Sequence, residues 1–327
     1  MLPRNLCLPT LVGAALLALG ANATAQDFPA HPITMVVPFP AGGPTDVIAR
    51  VVAERMRVSL GQPVVIENAT GAAGSIGVGR VARAPSDGYT LSFGTWSTHV
   101  VNAATLTLAY DTLGDFEPVA LVALSPMVMT ASKAFPAGNL KEAIAWLAAN
   151  PDKAVIGTAG VGSSPHIAGM FFEKETGTRL RFVPYRGVGP AMQDMLAGRV
   201  DLMIDLVANA LPQLRAGNVK AFAVLSKNRL GVAPDLPTVD EAGAPGLYVA
   251  SWQAIWAPKG TPAAVIDKLN AAVVDSLADA QVVARLSDMA QDIPARNEQT
   301  PQALGALQRA EMAKWLPIVK TAAVKPD

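Results

Sequence analysis

The sequence is short of cysteine, histidine and unbalanced charge, and each shortage removes a class of function. Its one cysteine, Cys7, falls within the first 25 residues. A chain relieved of that segment holds no thiol, so it can build no disulfide framework, thiolate metal site or cysteine nucleophile. Three histidines, His31, His99 and His166, are the whole supply. No H-E-x-x-H pair and no G-x-S-x-G elbow occurs. Basic and acidic side chains match at 26 each, and neither sign forms a run. The basic stripe that grips nucleic acid is therefore missing, and no nucleic-acid partner is expected. An anionic ligand would have to be held by local groups, since no overall field attracts it. No stretch beyond the leader approaches the ~20 apolar residues of a membrane span. Fixed-period repeats and low-complexity segments are absent too.

The first 25 residues read as a leader. Arg4 supplies a basic start, "LPTLVGAALLALGA" a short apolar core, and "ATA" (Ala23 to Ala25) a small-x-small cleavage signal. Cleavage is expected after Ala25. Cys7 precedes the apolar core, where a lipid-attachment cysteine would follow it. The expected product is an exported, soluble protein of the Gram-negative periplasm. About 300 residues can bury a large core without disulfides.

Past the leader, apolar runs alternate with helical patterns. "ITMVVPF" (33–39) reads as a buried strand and "PTDVIARVVAERMRVSL" (44–60) as a helix that Gly61 stops. Strands follow at 63–68 and 89–95, with a glycine-rich turn and short helix at 71–83 between them. This β-α-β-α-β order implies parallel strands and right-handed crossovers. The apolar stretch 116–132, broken by Pro126, could carry the chain into a second domain. A second series then reads as helix 140–150, strand 154–160, helix 164–177, strand 181–187, helix 189–198, and strands 200–206 and 219–226. The section 229–248 is rich in proline, glycine and acid and reads as a surface connection. A strand at 249–260, a strong helix at 262–279 and a helix over 301–314 complete the chain. Two such series with two crossings make two lobes, and open α/β sheets bind ligands beyond the carboxyl ends of their strands.

The loops narrow the ligand. "VPFPAGGPTDVIAR" (37–50) has the shape of a phosphate loop, but a Walker loop needs a lysine directly after its glycines, and none is there. The run "GAAGSIGVG" has the wrong spacing for a dinucleotide fingerprint. What remains is a helix start. Gly42 and Gly43 free the backbone, Pro44 suits the first helical position, and the following amides carry the positive end of the helix dipole. Such a terminus can hold an anion without a cationic side chain. "TAGVGSSPHIAG" (158–169) repeats the device with Gly160, Gly162 and Pro165, and adds the hydroxyls of Ser163 and Ser164. Glycine and proline also mark ordinary turns, so one loop alone would mean little. A hydrolase built from Ser163 or Ser97 with His166 or His99 stays open at this point, because geometry defines a triad.

Five stretches carry a family resemblance: "ITMVVPFPAGGPTDVIAR", "VIENATGAAGSIGVGRVARAPSDGYTL", "GTAGVGSSPHIAGMFF", "VPYRGVGPAMQDMLAGRVDLMID" and "PDLPTVDEAGAPGLYVASWQAIWAPKGTPAAVIDKLN". Together they resemble the Bug/TctC solute-binding proteins of tripartite tricarboxylate transporters, over nearly all of the chain past the leader. The resemblance implies an α/β type II periplasmic-binding-protein fold, with two lobes of mixed, mostly parallel sheets and a ligand cleft between them. It implies one lobe from residues 26–124 plus 251–327 and another from 125–250. It also implies a non-enzymatic, monomeric binder without a cofactor or metal. The ligand would be a di- or tricarboxylate, an acidic amino acid or an aromatic acid. Delivery would be to a TctA/TctB-type permease, with signalling to a membrane kinase as the alternative role for the same site. Matching positions place Phe39, Ala41, Gly42, Gly43 and Thr45 in the first binding loop and Gly160, Gly162, Ser163 and Ser164 in the second. Ser97, Thr98 and His99 of the loop "TWSTH", with Tyr185 and Asp205, complete the set. Trp96 departs from the small or polar residue expected there and reads as an aromatic at the cleft rim. Asp46 reads as an acid that stabilises its helix start, and Asp205 as a strand-end acid or an amine partner.

Overall fold

A computed structural model describes residues 28–321. The predicted leader lies outside the described residues.

β1 (Ile33–Val37), α1 (Pro44–Leu60), β2 (Val64–Asn68), α2 (Ser75–Ala82) and β3 (Thr90–Thr95) follow the expected order. β1 pairs in parallel with both β2 and β3. Its side chains are buried on both faces, as a central parallel strand requires. α1 ends where Gly61 turns left-handed, at φ 68°, and returns its N–H to the Arg57 carbonyl. After β3 the chain winds directly into a π-turn (Ser97–Val101) and α3 (Asn102–Thr105).

β4 (Phe116–Ala131) runs unbroken for 16 residues through Pro126. Proline lacks a donor and disrupts a sheet interior. Here it sits where β4 exchanges partners. Up to Pro126, β4 pairs antiparallel with β9 (Ala250–Pro258) of the first sheet. From Met127 it pairs with β7 (Leu202–Leu206), and from Val128 with β8 (Lys220–Val224), both of the second sheet. Between those strands come α4 (Leu140–Ala149), β5 (Val155–Thr158), α5 (Ser164–Thr176), β6 (Arg181–Pro184), α6 (Val188–Leu196) and α7 (Val207–Arg215). β5 pairs in parallel with β6 and β7. The strand order β2-β1-β3-β9-β4-β7-β5-β6 thus passes from one lobe to the other through β4.

The chain ends in α8 (Ala263–Ala278), α9 (Ala280–Asp288) and α10 (Pro301–Thr321). α1, α8 and α9 cover one face of the first sheet, burying Ile48, Val52 and Met56 with Leu269, Val273 and Leu286. α10 serves both lobes. Trp315 meets Trp96 edge-on at 5.3 Å and Phe171 of α5 at 5.0 Å. Lys314 Nζ lies 4.2 Å from the Phe171 ring centroid and donates to the Tyr248 carbonyl at 2.7 Å. A desolvated contact of this kind stabilises by about 1–2 kcal/mol. The helix is longer than the expected 301–314 and continues through Pro317. α7, α9 and the π-turn with α3 are helical segments the sequence reading did not assign.

Candidate functional site

Each lobe presents a glycine loop at the start of a helix, and each loop is braced the same way. In the first, Asp46 is buried and its carboxylate turns back on the loop. Oδ2 accepts from the Gly42 N–H at 2.8 Å and from Arg50 Nε at 2.9 Å, and Oδ1 accepts from Asn68 Nδ2 at 2.9 Å. Asn68 Nδ2 also donates to the Phe39 carbonyl at 3.0 Å. The Arg50 hydrogen bond, against the opposing cost of burial, lowers the Asp46 pKa to about 2. Asp46 therefore stays ionised and inward-facing, and it stabilises the loop as well as the helix dipole.

In the second loop, His166 takes the corresponding part. Its Nδ1 accepts from the Gly162 N–H at 3.1 Å, again from four residues away. Burial pushes the imidazole pKa down, which favours the neutral ring this bond needs. Ser163 caps α5: its Oγ donates to the Gly160 carbonyl at 2.7 Å and accepts from the His166 N–H at 3.4 Å. Ser163 and His166, one of the pairings of the hydrolase alternative, thus each bond to the backbone.

This bracing sharpens which atoms are open to a ligand. The Gly42 N–H is used by Asp46, and the Gly43 N–H by the Pro40 carbonyl at 3.2 Å. Pro44 has no donor. The free donors at the α1 start are the N–H groups of Thr45 and Asp46 and the Thr45 hydroxyl. The two glycines supply shape: Gly42 is at φ +78°, and a Cβ on Gly43 would come 3.2 Å from the Pro40 carbonyl oxygen.

A cavity of about 600 Å³ opens beside the first loop. It brings together Phe39, Gly42, Thr45 and Ser97 among the expected residues. Ala41 and Gly43 belong to the same loop without forming its wall. Gly160, Gly162, Ser163 and Ser164 sit on the second loop, off this wall. Thr98 and His99 face inward. Thr98 Oγ1 accepts from the Thr95 N–H at 2.9 Å and lies 2.9 Å from His99 Nδ1, and the His99 ring stacks on Trp256 at 3.7 Å. His99 is fully buried, and burial lowers its pKa to about 3. Trp96 is also in the core, 1% exposed, and not at the rim. The Tyr185 hydroxyl is occupied by Asp194 Oδ2 at 2.8 Å. Asp205 is buried at the end of β7. Its Oδ1 accepts from the Leu206 N–H at 2.7 Å and from Asn209 Nδ2 at 3.2 Å, while Oδ2 has no partner. Burial raises its pKa to about 6.

The sequence reading missed much of the cavity. Ser125 of β4 and Gln253 of β9 form its floor, where Gln253 Nε2 donates to Ser125 Oγ at 3.1 Å. Ser125 also hydrogen-bonds Gln291, which follows α9. A serine and a glutamine inside otherwise apolar strands were the available signal. Asn209 and Arg215 line the cavity from α7, a helix that had not been assigned.

The fold and this cleft define a two-lobed periplasmic solute-binding protein. A family model for the tripartite tricarboxylate transporter family receptor matches residues 48–324, and the chain belongs to that family. BugT of Bordetella pertussis is 37% identical over 81% of this chain and 82% of its own. MatC of Rhodopseudomonas palustris, solved with bound malate, is 39% identical with a TM-score of 0.72, covering 89% of this chain and 100% of its own. A second R. palustris protein, solved with adipate, is 34% identical with a TM-score of 0.74, covering 92% of this chain and 100% of its own. The family and fold are those of solute-binding proteins. No helix among the described residues is long and apolar enough to cross a membrane.

Proposed function

We propose that this protein is exported to the periplasm, binds a small carboxylate between its two glycine loops, and delivers it to a TctA/TctB-type permease without chemical change. One observation carries the reading: the two loops share one design, with a helix start held by a return bond from four residues along the chain. A braced terminus offers fixed donors to an anion at little ordering cost. In the first lobe those donors are the Thr45 and Asp46 amides with the hydroxyls of Thr45 and Ser97. In the second they are the amide and hydroxyl of Ser164. Residues 26–124 with 251–327 would move as one lobe and 125–250 as the other, pivoting where β4 changes partners. Relatives solved with malate and adipate support a di-acid ligand.

A thermal-shift panel of mono-, di-, tri- and aromatic carboxylates and acidic amino acids tests this. A ligand at 100 times its Kd adds about 2.7 kcal/mol to stability. Calorimetry on Gly43→Glu and Ser163→Asp should then show sharply weakened binding in a folded protein. A flat panel, or unchanged binding by both variants, would refute the site.

A further inference from the structure

The cavity wall is almost free of charge. Among its lining residues only Arg215 and Asp288 are ionic, on α7 and at the end of α9. Arg215 occupies the last turn of α7, where the helix dipole favours a cation. Its guanidinium has no ion-pair partner among the described residues. The single hydrogen bond it makes, from Nη2 to the Val232 carbonyl, is 3.5 Å long. Arg215 is exposed, so its fork stands at the solvent-facing mouth of the cavity and is largely uncommitted. Val47, Ile48, Leu211 and Met289 provide apolar wall on the same cavity. A volume of about 600 Å³ is far more than one carboxylate fills.

We propose that Arg215 is a specificity-determining residue, which receives the second acid group of a ligand whose first carboxylate sits on the α1 start and whose methylene spacer lies along the apolar wall. The inference rests on the carboxylate-binding reading above and adds the end of the ligand that reading leaves open. A guanidinium pairs with a carboxylate through two parallel N–H bonds, a geometry no other side chain of this cavity offers. The site therefore selects diacids over acids with a neutral tail.

Asp288 supplies the competing account. It ends α9, whose following segment packs Ala290 against Leu211 of α7, and an Arg215–Asp288 pair would latch the two helices around any ligand. Calorimetry separates the two. The probes are the straight-chain dicarboxylates from succinate to suberate and their monomethyl esters, titrated into the wild type, Arg215→Gln and Asp288→Asn. Under the proposal, wild type prefers a diacid to its monoester by at least tenfold. Arg215→Gln removes that preference while holding monoester affinity within about twofold, and Asp288→Asn keeps it. Equal weakening of diacid and monoester by both variants would mean a latch and overturn the proposal. A wild type that binds diacid and monoester alike would overturn it and leave the carboxylate site standing. A wild type that binds no acid would remove both.

Discussion

Asp46 and His166 hold Gly42 and Gly162 from equal distances along their chains, but they differ in how they titrate. The carboxylate, with its pKa lowered to about 2, keeps its bond at any physiological pH. The imidazole holds its bond only while Nδ1 is unprotonated. Its pKa in the folded protein is depressed below the usual ~6.5. The bond is thus complete above that value and fails as pH falls through the folded pKa. Ligand affinity should therefore weaken on acidification, with the second loop loosening first. His166→Asn places an acceptor that cannot titrate near the same position. Calorimetry stepped down from pH 7.5 through the folded pKa of the imidazole should show a loss in the wild type that shrinks in this variant. An equal loss in both would assign the pH effect to another group.

The π-turn after β3 explains why two expected site residues, Thr98 and His99, face away from the cleft. "TWSTH" reads as a loop, and a loop would expose alternate side chains. It winds instead as a helix from its first residues, so Ser97 reaches the cavity while Trp96, Thr98 and His99 turn into the core. His99 Nε2 has no hydrogen-bond partner there. A ring kept neutral to about pH 3 ties stability to pH. The unfolded chain takes up the proton below ~6.5 and the folded chain does not, so stability falls by up to about 1.4 kcal/mol per pH unit between those values. Denaturant titrations should show this slope in the wild type, and His99→Phe should flatten it. The ring beside Gly94 leaves no room for larger changes, since a Cβ at Gly94 would lie 2.2 Å from His99 Cε1.

The same scale shows what was legible in the sequence. Helix starts marked by Gly-Pro or Ser-Pro, and strands ended by glycine turns, could be read directly, because those residues act through local geometry. α1 matched its expected bounds of 44–60. α7 could not be read. "VANALPQLR" carries Pro212 in its middle, and proline usually argues against a helix interior. Without α7, the cavity residues Asn209 and Arg215 have no place in the sequence reading. The Ser125, Gln253 and Gln291 cluster was hidden for a different reason. Its members come from positions 125, 253 and 291, and only the fold brings them together.

Over the whole molecule, β4 pairs within both sheets, and α10 packs against elements of both. Trp315 is 1% exposed and touches aromatics from both. Replacing a buried tryptophan by alanine costs about 3–5 kcal/mol through lost burial and the cavity left behind. For Trp315→Ala the cost should fall on both lobes at once. Hydrogen exchange should show added opening around Phe171 as well as around Trp96. Protection lost near Trp96 alone would mean that α10 belongs to the first lobe only.

The strand pairing also sets an order of assembly for a chain that is made from one end. The second sheet draws on β4 to β8, a continuous stretch of sequence. The first sheet cannot close until β9 arrives, because Thr95 pairs with Gln253. Contacts that distant in sequence form slowly. The lobe whose strands come first is therefore finished last. Until the final segment emerges, β3 stands as an open edge of unpaired N–H and C=O groups between apolar side chains, the surface on which the incomplete chain is most exposed to aggregation and most in need of a chaperone.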